Sequence, residues 1–486
     1  MNSTTSLSIL CVSLLAGNAC STKTGKEKNE KPNVIIFLAD DLGYNDLSCY
    51  RDAHPDYSEQ PPTCRTPRLD ELADQGSRFT DYYCGAAVCS PSRAALLTGR
   101  NATRVGIYNW IPPKSPMHLR TDEVTIAEML KDNGYQTAHF GKWHLTSEGM
   151  GQPIPNDQGF DYSFFSYNNA EPSHENPVNY HRNGEPVGEM EGYACHLVVD
   201  EAINWLNTKK DNHPFYINVW FNEPHEKVAA PDSLADNHEY NKDYYGCIEN
   251  MDYAVGRLLD FIEENGWTKN TIVMFMSDNG SSKNHSNDPL RGAKVFNYEG
   301  GIRVPFIIRW PGYIPARMVN HNPGGFVDIL PTLAEFTGAR LPENKYLDGA
   351  NQAKVFMGDT NEVTRKHPLF FYRYFHEPVC MLRDGRWCLL GYDELIPYSK
   401  ELNVVELAKF KPAPGEPSWS QWGFQESHME VIPAEVPKHF ELYDLDKDIR
   451  QKNDLSAEYP EKVKEMKKLM LQLREEMIKE GGNWFE

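Results

Sequence analysis

Long apolar runs are scarce in this 486-residue chain, and only residues 7–17 stand out, near the N-terminus. That run is too short to cross a bilayer as a helix, which needs about 20 apolar residues. No later stretch reaches that length, so nothing downstream reads as a membrane span. Basic charge is also in short supply. Against 69 Asp+Glu stand 49 Lys+Arg, and 49 − 69 gives a formal net charge of −20. Nucleic-acid binders carry a basic face, so nucleic acid is excluded as the main partner. Cysteine is sparse too. Of ten, Cys11 and Cys20 lie in the N-terminal segment. Cys49, Cys64, Cys84, Cys89, Cys195, Cys247, Cys380 and Cys388 form no CxxC pair and no zinc-ligand spacing. The chain is therefore no disulfide scaffold, although one bridge, Cys380 with Cys388, stays open. With 40% apolar and 24% charged residues, the composition is ordinarily globular, which excludes wholesale disorder.

The apolar run 7–17 is followed by Gly17-Asn18-Ala19-Cys20 and a polar stretch to Lys31, the pattern of a secretory signal, though no Lys or Arg precedes the run. Two endings stay open: lipidation of Cys20 as the first mature residue, or plain cleavage after Ala19. Residues 1–19 are thus expected to be a signal peptide and 20–31 a polar linker. The protein is expected to be exported, to a bacterial periplasm or anchored at the outer membrane, touching a membrane only through such a lipid.

Other apolar runs are short, continuous and β-rich, as in strands buried on both faces of a mostly parallel sheet. Residues 34–39 run into Asp40-Asp41, 136–140 into Gly141-Lys142-Trp143-His144, and 271–276 into Ser277-Asp278-Asn279-Gly280. Residues 215–221 stop just before Pro224-His225, and 304–309 is a fifth candidate. Helices are predicted from Pro67 to near Gly76, over 124–132 and over about 242–264. This alternation predicts an α/β/α sandwich with a large, mostly parallel sheet. Past a Gly/Pro/Asn-rich stretch at 338–367, short runs at 369–374, 379–383, 386–390 and 440–443 predict an antiparallel sheet. Val463, Met466, Met470, Leu473 and Met477 then repeat at helical spacing, as a packing face. The expected division is a large domain over 32–360 and a smaller α+β C-terminal subdomain over 361–486 with a terminal helix.

In open α/β sheets, ligands bind at the carboxyl ends of the strands. These strands deliver Asp40, Asp41, Lys142, His144, His225, Asp278 and Asn279 to that edge. Three carboxylates and an amide repel one another unless a cation sits between them, and oxygen ligands favour Ca2+ or Mg2+ over zinc. Residues 89–100 read as a loop entering a helix, with Ser90 as N-cap, Pro91 in the first turn and Gly99 at the end. Cys89 then precedes a helix N-terminus that favours negative charge, and Arg93 lies one turn on. On these residues alone a buried structural cysteine stays open beside a nucleophile.

Cys89-Ser90-Pro91-Ser92-Arg93 followed by Thr98-Gly99 resembles the signature C-x-P-S-R-x-x-x-x-T-G of the formylglycine-dependent sulfatases, in the alkaline phosphatase superfamily. The residues from Asn33 to Gly43, Gly141-Lys142-Trp143-His144-Leu145, Ser277-Asp278-Asn279-Gly280, Arg291-Gly292-Ala293-Lys294, and Glu441-Leu442-Tyr443-Asp444 resemble further segments of that family in the same order. The pattern is similar to bacterial carbohydrate sulfatases and arylsulfatases, and implies an alkaline-phosphatase-like fold.

The resemblance implies a sulfuric ester hydrolase. Cys89 would be oxidised by a sulfatase-maturating enzyme to formylglycine (3-oxoalanine) and hydrated to a geminal diol. One hydroxyl would attack the sulfur, and the other would later expel sulfate. Asp40, Asp41, Asp278 and Asn279, with the modified Cys89, would hold Ca2+, or less favourably Mg2+. Arg93 and Lys142 would steady the diol, Lys294 would bind sulfate, His144 would support the diol's proton transfers and His225 would protonate the leaving alcohol. Asn222 to Lys227 departs from the family's Pro-rich setting around that histidine, and Glu226 is expected to raise its pKa. The implied substrates are O-sulfated sugars of host or algal glycans, such as galactose, N-acetylgalactosamine or N-acetylglucosamine sulfates in glycosaminoglycans or mucins. Trp110, His118, His174, His181, Arg182 and His376 are candidate sugar contacts. The acidic total favours capture in a local pocket, and so exo action. Two alternatives remain: a phosphate mono- or diesterase of the same superfamily, and a non-catalytic sulfated-glycan binder with Cys89 unmodified. Four Asn-x-Ser/Thr matches, at Asn2, Asn101, Asn279 and Asn284, are read as chance.

Overall fold

Five apolar runs become the central strands β1 (Asn33–Ala39), β2 (Gln136–Lys142), β3 (Phe215–Trp220), β4 (Thr271–Ser277) and β5 (Phe306–Arg309). A computed structural model describes residue 1 and residues 31–486, apart from 54–63, 210–212, 284, 360–362, 375 and 395–422. The expected leader, Cys20 and nearly all of the linker lie outside the described residues. Across the sheet the order is β5-β4-β1-β3-β2. β1 is parallel to β3 and β4, and β3 to β2, whereas β5 runs antiparallel to β4. The fifth candidate strand therefore joins the sheet but leads its chain away from the edge where the others end. Shorter strands complete ten, with Ser77–Phe79 and Met318–Asn320 beyond β5, and Tyr162–Ser166, Tyr180–Arg182 and Glu185–Pro186 beyond β2.

Helices α1 (Pro67–Gln75), α2 (Cys89–Thr98), α3 (Ile126–Asp132), α4 (Ala194–Asn207) and α5 (Lys242–Glu264) cover the sheet. Alternate side chains of a strand point to opposite faces. Val34, Ile36 and Leu38 accordingly pack with Leu96 and Leu97 of α2 and Ile126 and Leu130 of α3. Ile35 and Phe37 pack with Leu69 and Leu72 of α1, Val198 and Val199 of α4, and Ile248, Met251 and Val255 of α5. Each fully buried aliphatic side chain contributes about 1.5–3 kcal/mol relative to exposure, so both layers clamp the sheet. This is the expected α/β/α sandwich. α3 begins two residues later than predicted because Thr125 caps it: Glu128 N–H donates to Thr125 Oγ1 (3.1 Å) and Thr125 N–H to the Glu128 carboxylate (2.8 Å).

Beyond it, β6 (Leu369–Tyr372), β7 (Cys380–Asp384), β8 (Trp387–Tyr392) and β9 (His439–Asp444) form an antiparallel sheet in chain order. The terminal helix α6 (Pro460–Gly481) buries Met466, Met470, Leu473 and Met477, with Val463 half-buried. Gly391 makes room for it, since a Cβ there would lie 2.9 Å from Met470 Sδ. The Cys380–Cys388 bridge is absent. Register sets Cys380 opposite Gly391 and Cys388 opposite Arg383, so the two are not cross-strand neighbours, and both are free thiols.

Candidate active site

Register pairs Ala39 with Ser277, Leu38 with Trp220 and Gly141 with Trp220, so the four parallel strands end nearly level. Their following residues converge. Asp40 N–H donates to Glu223 O (2.9 Å) and Asp41 N–H to Asp278 Oδ1 (3.1 Å). Asp41 (φ 65°) and His144 (φ 54°) hold left-handed backbone, a strain of about 1–3 kcal/mol each that clusters at functional sites.

α2 begins at Cys89 itself, after an extended Val88. Ser90 is not the expected cap. Its Oγ accepts the Ile111 N–H (3.0 Å), tying segment 109–111 to the helix start. Every residue of α2 is buried, Arg93 included. Arg93 Nε and Nη2 donate to Asp278 Oδ2 (3.0 and 2.8 Å), and Nη1 donates to Lys142 O (2.8 Å). Lys142 Nζ pairs with Asp40 (2.6 Å) and donates to Asn169 Oδ1 (2.9 Å). Lys294 Nζ pairs with Asp41 (2.6 Å) and lies 3.7 Å from Cys89 Sγ. His225 Nε2 lies 3.5 Å from Asp41 Oδ2, and its Nδ1 lies 2.8 Å from Glu226 O. His144 Nε2 lies 3.2 Å from Ile111 O.

Burial pushes the Cys89 thiol up to about 12, with Lys142 and Lys294 pulling the other way. A thiol so held stays protonated at neutral pH and is a poor nucleophile. Burial opposes ionisation of Asp40, but Lys142, His225 and Arg93 outweigh it and hold the carboxyl well below its usual range. Burial, then the Asp40 charge, push Asp278 upward against Arg93. For Lys294 burial disfavours the ammonium, yet Asp41 and Cys89 keep its pKa above the usual value. His144 and His225 sit below theirs, through burial first and then through Lys142 and Lys294 respectively. His225 is not raised as expected, because burial and then Lys294 outweigh the carboxylates of Asp41 and Asp40, while Glu226 pairs with Lys283 at 3.0 Å.

These residues fit a cation. Ligand atoms of Asp40, Asp41, Cys89 and His225 lie within 4.8 Å of one another. Buried Asn279 donates Nδ2 to Asp41 Oδ1 (2.7 Å), while its Oδ1 meets no hydrogen-bond partner. Such an orphaned carbonyl costs about 1–3 kcal/mol. A hard ion among Asp40, Asp41, Asp278 and Asn279 would satisfy it.

The candidate sugar contacts divide. Trp110 is half-buried with its ring 6.5 Å from that of His144, at the rim. His376 is buried, packs on Phe296 (5.3 Å) and accepts the Arg373 Nε–H at Nδ1 (3.3 Å). His174 is enclosed, with Nδ1 3.4 Å from Cys247 Sγ, and burial followed by His225 lowers it to about 3. It is a neutral neighbour of His225 rather than a solvent-facing contact. Three others are tied elsewhere. His118 Nδ1 meets Pro116 O (2.7 Å) with its ring against Trp484, His181 meets Glu148 (3.5 Å), and Arg182 is held by Glu201 (2.6 and 2.9 Å) on a strand two places beyond β2. Sequence reasoning left Glu223 and Arg373 without roles. Glu223 is buried, accepts the N–H groups of Cys195 (2.7 Å) and Asn222 (3.1 Å), and fixes Asp40 through its carbonyl; only its place between β3 and His225 hinted at this.

An α/β sandwich that gathers three carboxylates, an amide and three cationic side chains around a helix-start cysteine defines a hydrolase of anionic esters with a cation centre. The sulfatase family model matches residues 32–339, and the model for the N-sulphoglucosamine sulphohydrolase C-terminal region matches 293–419. The chain is 34% identical to human arylsulfatase A over 381 residues, 72% of each chain. It is 30% identical to rat N-acetylgalactosamine-6-sulfatase over 374 residues, 71% of this chain and 68% of that one. The crystal structure of Ps i-CgsB in complex with k-i-k-neocarrahexaose matches with a TM-score of 0.74 at 26% identity, covering 92% of this chain and 93% of that one. The chain belongs to the sulfatase family and is a sulfuric ester hydrolase.

Proposed function

We propose that this hydrolase removes sulfate from O-sulfated sugars, such as galactose, N-acetylgalactosamine or N-acetylglucosamine sulfates, with Cys89 converted to formylglycine and one Ca2+ held by Asp40, Asp41, Asp278 and Asn279. The observation that carries it is the convergence of Arg93, Lys142 and Lys294 on a cysteine whose own thiol is held protonated. The sugar class is supported by the likeness to an N-acetylgalactosamine-6-sulfatase and to a protein bound to neocarrahexaose.

When present, the matured side chain supplies a hydroxyl nucleophile and a second hydroxyl for sulfate release, and the cation supplies charge stabilisation. The remaining work falls to the chain's own residues. Arg93, locked by Asp278 and Lys142 O, keeps a fixed positive charge beside position 89. Lys142, held by Asp40 and Asn169, steadies the side chain at position 89, and Lys294 binds a sulfate oxygen. Ile111 O accepts from His144 Nε2–H, which leaves the lone pair on Nδ1, the nitrogen that takes a proton from position 89. Glu226 O accepts from His225 Nδ1–H, so Nε2 exchanges the proton, and Asp41 beside it favours the imidazolium that protonates the leaving alcohol.

Mass spectrometry of the tryptic peptide 79–93, from protein co-expressed with a sulfatase-maturating enzyme, should show the aldehyde. A plain thiol in active protein sinks the formylglycine step. Turnover of 4-nitrophenyl sulfate should exceed that of 4-nitrophenyl phosphate, and the reverse preference overturns the proposal. We further propose export through residues 1–19 with Cys20 as a lipid site, tested by fractionation and acyl labelling of the native host; a cytoplasmic, unlabelled pool would refute it. Exo action is proposed from the acidic total, and faster desulfation of long polymers than of short oligosaccharides would count against it.

A further inference from the structure

Glu223 is buried in the turn that leads from β3 to His225. Its backbone carbonyl accepts the Asp40 N–H (2.9 Å), which ties the turn to a carboxylate of the cluster. The His225 N–H donates to Asn222 O (3.0 Å). Residues 222 and 223 therefore set the positions of Asp40 and His225 together.

The Glu223 side chain holds that pair of residues in place. One carboxylate oxygen accepts the Cys195 N–H (2.7 Å), and the other accepts the Asn222 N–H (3.1 Å). Cys195 is the second residue of α4, whose start has no side-chain cap of its own. The first N–H groups of a helix lack internal partners and carry partial positive charge. Glu223 caps them from the far side of the turn. The same helix start holds the turn's other end. Ala194 N–H donates to His174 O (2.7 Å), and His174 N–H donates to Lys227 O (3.2 Å). Residues 222–227 are thus fixed to α4 at both ends, with His225 between them. Asn222 extends the brace toward Lys142. Its Nδ2 donates to Ser166 Oγ (3.3 Å) and Asn168 O (3.1 Å), and the adjacent Asn169 Oδ1 accepts from Lys142 Nζ (2.9 Å).

We propose that Glu223 is a positioning residue: its carboxylate, docked on the start of α4, fixes the cation ligand Asp40 and the acid His225 relative to position 89. This rests on the sugar-sulfate function proposed above and adds a residue to its machinery. Without the carboxylate, the buried N–H groups of Cys195 and Asn222 lose their acceptors, and the turn must shift to pair them. A misplacement of about 1 Å is enough to cost about 100-fold where reacting groups must align.

The test compares wild type with Glu223→Ala, Glu223→Gln and Thr125→Ala, the last a control that removes the cap of α3 instead. Titration calorimetry of the unmatured proteins gives the calcium Kd. The matured proteins give kcat/KM on 4-nitrophenyl sulfate and on whichever galactose, N-acetylgalactosamine or N-acetylglucosamine sulfate wild type cleaves fastest. Within one preparation, the sugar-to-aryl ratio cancels the folded and matured fraction. Glu223→Ala should weaken calcium binding about 10- to 100-fold and lower the ratio about 10- to 100-fold. Glu223→Gln keeps one acceptor oxygen and should lose less in both, by about threefold or more; if Glu223→Ala does not fold, this variant decides. Thr125→Ala should stay within about twofold of wild type in both readouts. Either readout within about twofold of wild type in the Glu223 variants overturns the inference, as does an equal change in Thr125→Ala, the mark of a general loss of stability. Matured wild type that cleaves no ester sinks the proposed function, and the calcium arm then decides Glu223 by itself. Wild type that binds no calcium sinks the cation assignment, and the ratio then decides.

Discussion

Replacing Asn279 by Ala tests the cation centre through stability rather than turnover. In metal-free protein the substitution removes two opposing contributions. The orphaned Oδ1, costing about 1–3 kcal/mol, disappears. So does the charge-assisted bond from Nδ2 to Asp41 Oδ1 at 2.7 Å, worth about 1.5–3 kcal/mol. The two nearly cancel. Unfolding entropy of about 2.1 cal/mol/K per residue over 31–486 makes 1 kcal/mol worth about 1 °C in Tm. The metal-free variant should therefore melt within about 2 °C of wild type. Calcium separates them. At 100 times its Kd it stabilises wild type by about 2.7 kcal/mol, or about 3 °C. If losing one ligand weakens binding about tenfold, the variant gains RT ln 11 at the same concentration, about 1.4 kcal/mol and half the shift. Its calcium curve moves to about tenfold higher concentration. Calorimetric melting of the EDTA-dialysed, unmatured proteins, titrated with calcium and with magnesium as control, reads this directly. Parallel calcium curves for the two proteins, or no shift in wild type, would refute the ligand assignment.

Lys294→Met removes the ammonium that holds Asp41 at 2.6 Å, so calcium should bind more tightly while kcat/KM on 4-nitrophenyl sulfate falls about 100-fold or more. Titration calorimetry showing weaker calcium binding contradicts that arrangement. His225→Gln should cost about 10²–10⁴ on a sugar sulfate, whose alcohol needs a proton, and under about tenfold on 4-nitrophenyl sulfate, whose phenolate leaves unaided. Equal losses on both esters remove the general-acid role. His367 Nε2 meets Asp348 at 2.9 Å; burial opposes its charge, but Asp348 raises its pKa above the ordinary value. A raised folded pKa stabilises fully below about pH 6.5 and is lost as pH rises through the folded value. His367→Gln should thus lower Tm more at about pH 6 than at about pH 8.5, and equal losses refute the linkage.

What was legible in the sequence follows from how the sheet is built. Strands buried on both faces are continuous apolar runs, so the ends of β1 and β4 and the polar residues after them stood out against that background. α5 spans Lys242–Glu264, near the predicted bounds, because its apolar stripe and its flanking polar segments agree. What failed to show was tertiary in origin. Ser90 has the residue type of an N-cap, but a donor from Ile111 claims its hydroxyl. Glu226 neighbours His225 in sequence, yet burial and Lys294, which are tertiary, set the direction of that histidine's shift. Cys380 and Cys388 suited a hairpin bridge until register set them three residues apart. Residues 369–374 read as a strand, and nothing local announces that Arg373 just after it would donate to Asn109 and His376.

The charge balance that seemed adverse for the whole chain is settled pair by pair at the site. Arg93, Lys142 and Lys294 offset Asp278, Asp40 and Asp41, so the protein groups alone sum to zero, and a divalent ion leaves a net charge of +2. The −20 of the chain lies elsewhere. Screening limits an exposed charge to about 8–10 Å at physiological salt, so that surrounding acidity neither cancels the pocket nor attracts a polyanion to the surface. A sulfate ester therefore meets attraction only once it enters, where low dielectric strengthens each contact. A ligand that gains its binding inside a pocket is selected by what fits there beside the scissile group.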